Sequence, residues 1–131
     1  MKIKIFSLVV ISVIVLSFTI KTESGDEKNW NECVEKYNAN WGEPCPDCTY
    51  NNDIFHVSFR NICEENVDVF VAVQESNKSW RCLYTENIAP KDTITAFACK
   101  GTGKYLYWVR KAGDREMELP TCDQVNIDYK E

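Results

Sequence analysis

The sequence predicts a mainly β domain of the α+β kind: an antiparallel meander or small sandwich of five to six strands, with one N-terminal helix, stapled by disulfides. Three observations carry this expectation. From Asp53 onward, apolar residues recur with period two between polar turns spaced about 10–14 residues apart. Ahead of that region, one stretch has helical spacing. Seven cysteines occur among 131 residues, far more than a reduced cytosolic domain of this size carries. An apolar fraction of 44% with 27% charged residues excludes both a disordered tail and a multi-span membrane protein. The length leaves room for one domain and none for a separate cofactor domain.

Residues 1–22 read as a secretory signal. Lys2 and Lys4 precede an apolar run from Ile5 to Ile20, and Lys21 and a polar stretch follow. The run is slightly short for the ~20 apolar residues that span a bilayer, so a retained anchor is the weaker reading. Residues 23–131 are expected to form the mature domain, in a secreted or periplasmic setting. Residues 24–41 read as an amphipathic helix. Ser24 and Glu27 have capping-box spacing, and Trp30, Cys33, Val34, Tyr37 and Trp41 fall on one stripe. GEPCPDCTYNND is a connector whose prolines forbid regular structure.

The β region covers about 53–119. Phe55, Val57 and Phe59 alternate with His56, Ser58 and Arg60. Val67, Val69, Val71 and Val73 alternate with Asp68, Phe70, Ala72 and Gln74, and SWRCLYT forms the next strand. TITAFACK and KYLYWVRK flank Gly101-Thr102-Gly103, which reads as a hairpin turn. REMEL offers a sixth short strand, and a polar tail follows Pro120.

Six of the seven cysteines are expected in disulfides: Cys33, Cys45, Cys48, Cys63, Cys82 and Cys99, with Cys122 left over in the tail. Adjacent strands would bring Cys82 to Cys99, and Cys33 and Cys63 would link to the Cys45/Cys48 pair. Cys45-Pro-Asp-Cys48 has the spacing of a redox dithiol, but no helix follows it as thioredoxin-type chemistry would need. Zinc would want a second close pair or spaced histidines, and His56 is the single histidine. No metal and no cofactor are therefore expected. No catalytic residue is assigned: His56 reads as a solvated strand residue, and the pairs Glu64/Glu65 and Glu116/Glu118 read as surface carboxylates. Asn77-Lys78-Ser79 matches an N-glycosylation acceptor, meaningful in a eukaryotic source alone.

The net charge of −5 argues against nucleic acid as a partner. Residues 76–115 nevertheless carry eight basic and three acidic side chains. Within them, Lys100, Lys104, Tyr105, Tyr107, Trp108, Arg110 and Lys111 form a basic aromatic arm, with Trp80 and Arg81 as neighbours. Tyr105, Tyr107 and Val109 share one face and Leu106, Trp108 and Arg110 the other, so one aromatic row is a candidate binding surface. The expectation is an exported non-catalytic domain that binds a protein, a glycan or an anionic ligand there. A membrane is a partner only if the N-terminal segment stays uncleaved. The alternative is a thiol–disulfide oxidoreductase with Cys45 attacking and Cys48 resolving.

The blocks FRNICEENVDVFVAVQESNKSWRCLYTENIAP and ACKGTGKYLYWVRKAGD resemble small uncharacterised exported cysteine-containing proteins of Bacteroidetes-type bacteria. The resemblance implies the periplasm or the exterior, removes the meaning of the Asn77 triplet, and attaches no activity to any residue.

Overall fold

The computed structural model describes residues 28–130, so the expected signal at 1–22 and the Ser24–Glu27 cap lie outside the described residues. A single 3-10 turn, Trp30–Cys33, leads into six strands: β1 Val34–Trp41, β2 Phe55–Asn61, β3 Val67–Glu75, β4 Trp80–Ile88, β5 Thr93–Ala98 and β6 Gly101–Lys111. A short helix, α1 Cys122–Asp128, closes the chain. The strands form two three-stranded antiparallel sheets, ordered β1-β2-β5 and β4-β3-β6. The mainly β expectation holds, as a sandwich rather than a meander.

The helix expected over 24–41 is replaced, across its described part, by the 3-10 turn and β1. Val34 and Trp41 sit opposite Asn61 and Phe55, and a bulge at Tyr37 restores the alternation between them. Asn38, Asn40 and the aromatic residues gain little in a helix, whereas β2 offers β1 a ladder of backbone hydrogen bonds. Asn29 caps the turn by accepting from the Asn31 N–H at 3.1 Å. The Asn31 Oδ1 in turn accepts from the Val109 N–H at 2.8 Å, so a side chain serves the open edge of β6.

Val57, Phe59, Val69, Val71, Val73, Ala96 and Val109 fill the space between the sheets. β3 is buried along nearly its whole length because both of its faces are apolar. Phe70 and Ala72 point away from the sandwich into a second cluster with Trp80 and Val125 of α1. The expected polar tail therefore contains a helix that covers this outer face. Thr121 caps it, accepting from the Gln124 N–H at 3.1 Å. REMEL, expected as a sixth strand, lies outside every strand.

The chain changes sheets between β2 and β3, between β4 and β5, and between β5 and β6. The expected hairpin at Gly101-Thr102-Gly103 therefore does not exist: these residues begin β6, which pairs with β3 and not with β5. Cys99 and Lys100 alone carry the chain from one sheet to the other. The Glu75 carboxylate holds this corner, accepting from the Cys99 N–H at 3.1 Å and the Lys100 N–H at 3.0 Å. Gly101 passes so close to Phe55 that an added Cβ would stand 2.6 Å from the Phe55 Cβ. Gly101→Ala should cost about 1–3 kcal/mol by overpacking. Urea unfolding would check this, and an unchanged midpoint would mean that Phe55 can yield.

Three disulfides lock the arrangement: Cys33–Cys63, Cys48–Cys99 and Cys82–Cys122. The expected pairings are corrected throughout. Cys82 does not meet Cys99: β4 is not a ladder neighbour of β5, and the Cys82 side chain lies in the outer cluster against α1. Cys82 instead faces α1 and takes Cys122, so the leftover thiol is Cys45, half-buried in the connector. Cys33 and Cys63 bond to each other, beside an Ile62 N–H bonded to the Cys33 carbonyl at 2.8 Å.

Candidate functional site

β6 presents its aromatic side chains to two packed layers, while Thr102, Lys104 and Lys111 face solvent. On the inner face, Phe59 meets the Tyr105 ring edge-on at a centroid distance of 5.6 Å and the Tyr107 ring at 5.2 Å. On the outer face, Trp108 lies between Phe70 at 5.7 Å and Tyr129 at 5.9 Å. Both aromatic rows of the expected binding arm are thus engaged in packing. Lys100, Lys104 and Lys111 remain exposed.

Arg110 is buried and fully engaged. Its Nε donates to Asp68 Oδ2 at 3.0 Å, Nη1 to the Met117 carbonyl at 2.9 Å and Nη2 to the Tyr84 hydroxyl at 3.0 Å. Asp68 also accepts from the Asn87 N–H at 2.9 Å and the Gly113 N–H at 3.2 Å. Burial by itself would raise the Asp68 carboxyl. The donations from Asn87, Arg110 and Gly113 outweigh it and hold the group below its usual 3.8. Burial, with the hydroxyl's donation to Glu86, raises Tyr84. For Arg110, burial works against the charge, but the Asp68 bond and Tyr84 raise it further. This guanidinium is spent inside the protein and is unavailable to an anionic ligand.

What the structure does bring together is a groove of about 660 Å³ between β6 and the C-terminal helix. Trp80, Gly103, Lys104, Tyr105, Leu106, Asp128 and Tyr129 line it. Trp80 is fixed by α1: its backbone N–H donates to Asn126 Oδ1 at 2.7 Å and its indole N–H to the Tyr129 carbonyl at 2.7 Å. Asn126 returns a bond to the Trp80 carbonyl at 3.2 Å. Of the expected site residues, Lys104 and Tyr105 line this groove. Lys100 borders a separate recess beside Tyr50 and Glu75, and Arg110 borders another beside Leu119 and Pro120.

Sequence reasoning missed Asp128 and Tyr129, because the tail after Pro120 looked like polar coil. Its helix was signalled: Thr121 and Gln124 have capping-box spacing, just after Pro120 and just before the apolar Val125.

The expected redox pair is not joined. Cys48 is bonded to Cys99, 51 residues away, and Cys45 is a free thiol, so no Cys45–Cys48 bond exists to be opened and closed. His56 sits on the outer face of β2 but is half-buried rather than solvated as expected, with its ring 6.1 Å from Phe97. Among the described residues no group of three or more His, Cys, Asp or Glu side chains could hold a metal ion, and no helix is long and apolar enough to cross a membrane. No family model, no curated protein and no solved structure matches the chain.

Proposed function

We propose that the protein is a non-catalytic binding module of an oxidising compartment, exported by its N-terminal segment, that captures a peptide segment of an extracellular or periplasmic partner protein. The observation that carries this reading is the groove between β6 and α1. Its walls are apolar and aromatic, from Trp80, Tyr105, Leu106 and Tyr129, and it carries one cation, Lys104, and one carboxylate, Asp128, on different elements. Aromatic anchors flanked by charges of both signs suit a peptide side chain with its neighbouring charges. A purely anionic ligand is less well served, because Arg110 is neutralised by Asp68. The three bridges support an oxidising location.

Tyr129 is exposed and stands at the end of α1, so Tyr129→Ala should leave the fold intact and weaken peptide capture at least about tenfold, the cost of an interface anchor. Lys104→Glu should shift the selected peptides from acidic to basic. Panning a displayed peptide library against both variants and the parent checks this. Identical selected sequences and affinities for all three would remove the groove from consideration.

A further inference from the structure

β6 is an edge strand: β3 pairs with one side of it, and among the described residues no strand pairs with the other. One bond fixes the direction of its free backbone groups. Val109 gives its N–H to Asn31 Oδ1, on the side away from β3. In an antiparallel ladder the N–H and C=O of one residue point to the same side, and successive residues alternate. Tyr107 and Tyr105 follow in unbroken register opposite Val71 and Val73, so both aim their N–H and C=O outward as well. None of these groups has a hydrogen-bond partner among the described residues. Backbone groups of this kind are the strongest template a sheet offers to another chain.

The free stretch has two stops. Asn31 closes it at Val109. At the other end the half-exposed Trp41 ring stands against Gly103, 3.1 Å from where a Cβ would lie. The peptide groove adjoins this stretch. Its β6 wall is Gly103, Lys104, Tyr105 and Leu106, four consecutive residues. Consecutive residues of a strand point to opposite faces, so a groove that touches all four runs along the edge of β6 rather than over one face. The other edge strands do not share this arrangement: β1 and β5 give the groove no residue, and β4 gives it Trp80 alone.

The occupant that meets both demands is an extended peptide. Added beside β6, it bonds to Tyr105 and Tyr107 through its backbone and sends alternate side chains to the two faces. On the outer face they enter the groove beside Leu106 and Tyr129. On the inner face they meet Trp41 and the Tyr105 ring, over which Lys36 Nζ stands at 5.9 Å. Lys104 and Lys36 thus place a cation on each side of the added strand, against one carboxylate, Asp128, on the α1 wall. The segment that fits carries acidic residues among apolar ones. A second copy of β6 does not fit, because pairing two copies would set the exposed lysines 100, 104 and 111 of one against those of the other.

We infer that the free edge of β6 holds the captured peptide as a fourth strand of the β4-β3-β6 sheet, and that the peptide is an extended segment with acidic residues among apolar ones. This rests on the peptide-binding reading of the groove and specifies how the peptide is held.

The test uses the full-length protein and a peptide selected on it by panning, resynthesised with each backbone N–H methylated in turn. Methylation at every second position should weaken binding about tenfold or more, because those N–H groups donate to the Tyr105 and Tyr107 carbonyls, and methylation between them should be tolerated. Amide exchange of Tyr105 and Tyr107, fast in the free protein, should slow about tenfold or more in the complex, while Leu106 and Trp108, directed at β3, change little. Capture of no peptide would remove the groove and the added strand together. Capture that tolerates methylation everywhere, or that loses affinity without a period of two, would keep the groove and overturn the added strand. Tyr105 and Tyr107 amides already protected in the free protein would overturn it too, in favour of a second copy where sedimentation shows a dimer.

Discussion

Replacing Arg110 with alanine is expected to remove about 3–5 kcal/mol of folding stability, the cost of stripping one partner from a buried ion pair. The loss falls on several groups at once. Asp68 would keep its two backbone donors but lose its counter-ion, while the Met117 carbonyl and the Tyr84 hydroxyl would lose theirs. Arg110→Lys should recover little, because a single ammonium cannot serve three acceptors in a fork. For a domain of this size the melting temperature should fall by more than about 12 °C. Lys104→Ala, exposed on the same strand, should stay within about 0.5 kcal/mol.

The pH dependence carries a defined sign. The folded-state carboxyl of Asp68 lies below its usual 3.8, so its stabilising contribution is complete above that value and is lost as pH falls through the lower folded value. In Arg110→Ala the same carboxylate is buried without a counter-charge, and its protonation relieves the variant. The gap between parent and variant should therefore narrow on acidification toward pH 3–4. Urea unfolding across that window measures it. A deficit under about 1 kcal/mol at neutral pH, or one that widens in acid, would show that the network is dispensable.

The second large effect is expected from Cys82→Ser with Cys122→Ser. The bridge closes a loop of 40 residues, and on the chain-entropy estimate its removal costs about 4 kcal/mol. The structural consequence is local as well. At seven residues α1 is too short to hold itself as a helix and depends on what it packs against. Without the bridge, Val125 and the bonds between Asn126 and Trp80 must keep it in place unaided. Amide exchange over 122–129 should accelerate far more than exchange in β3, and peptide capture should drop together with it, because Asp128 and Tyr129 leave the groove. Equal protection of α1 with and without the bridge would contradict this account.

The parts of the fold that depend on local pattern were legible in the sequence. The alternating valines of β3, the Phe55–Val57–Phe59 face and the need for disulfides all emerge in the structure. What escaped depends on partners remote in the chain. The stripe from Trp30 to Trp41 satisfies helical spacing, and only the presence of β2 draws Val34–Trp41 into a bulged strand instead. The cysteine pairing follows from which strands lie side by side, so taking β4 and β5 as neighbours misassigned Cys82, Cys99 and Cys122 together. For the candidate site, the basic aromatic arm did locate Lys104 and Tyr105, but its alternation could not reveal that Phe59 covers one row and Tyr129 the other. Arg110 looked like a ligand-facing cation because Asp68, its neighbour in space, lies 42 residues away.

The corner held by Glu75 bears on how the molecule can be divided. Strands enter the two layers in interleaved order, so no single cut separates the two layers into two contiguous fragments. Grafting, splitting or duplicating this scaffold must therefore operate on the entire unit, and a terminal fusion disturbs it less than any internal excision.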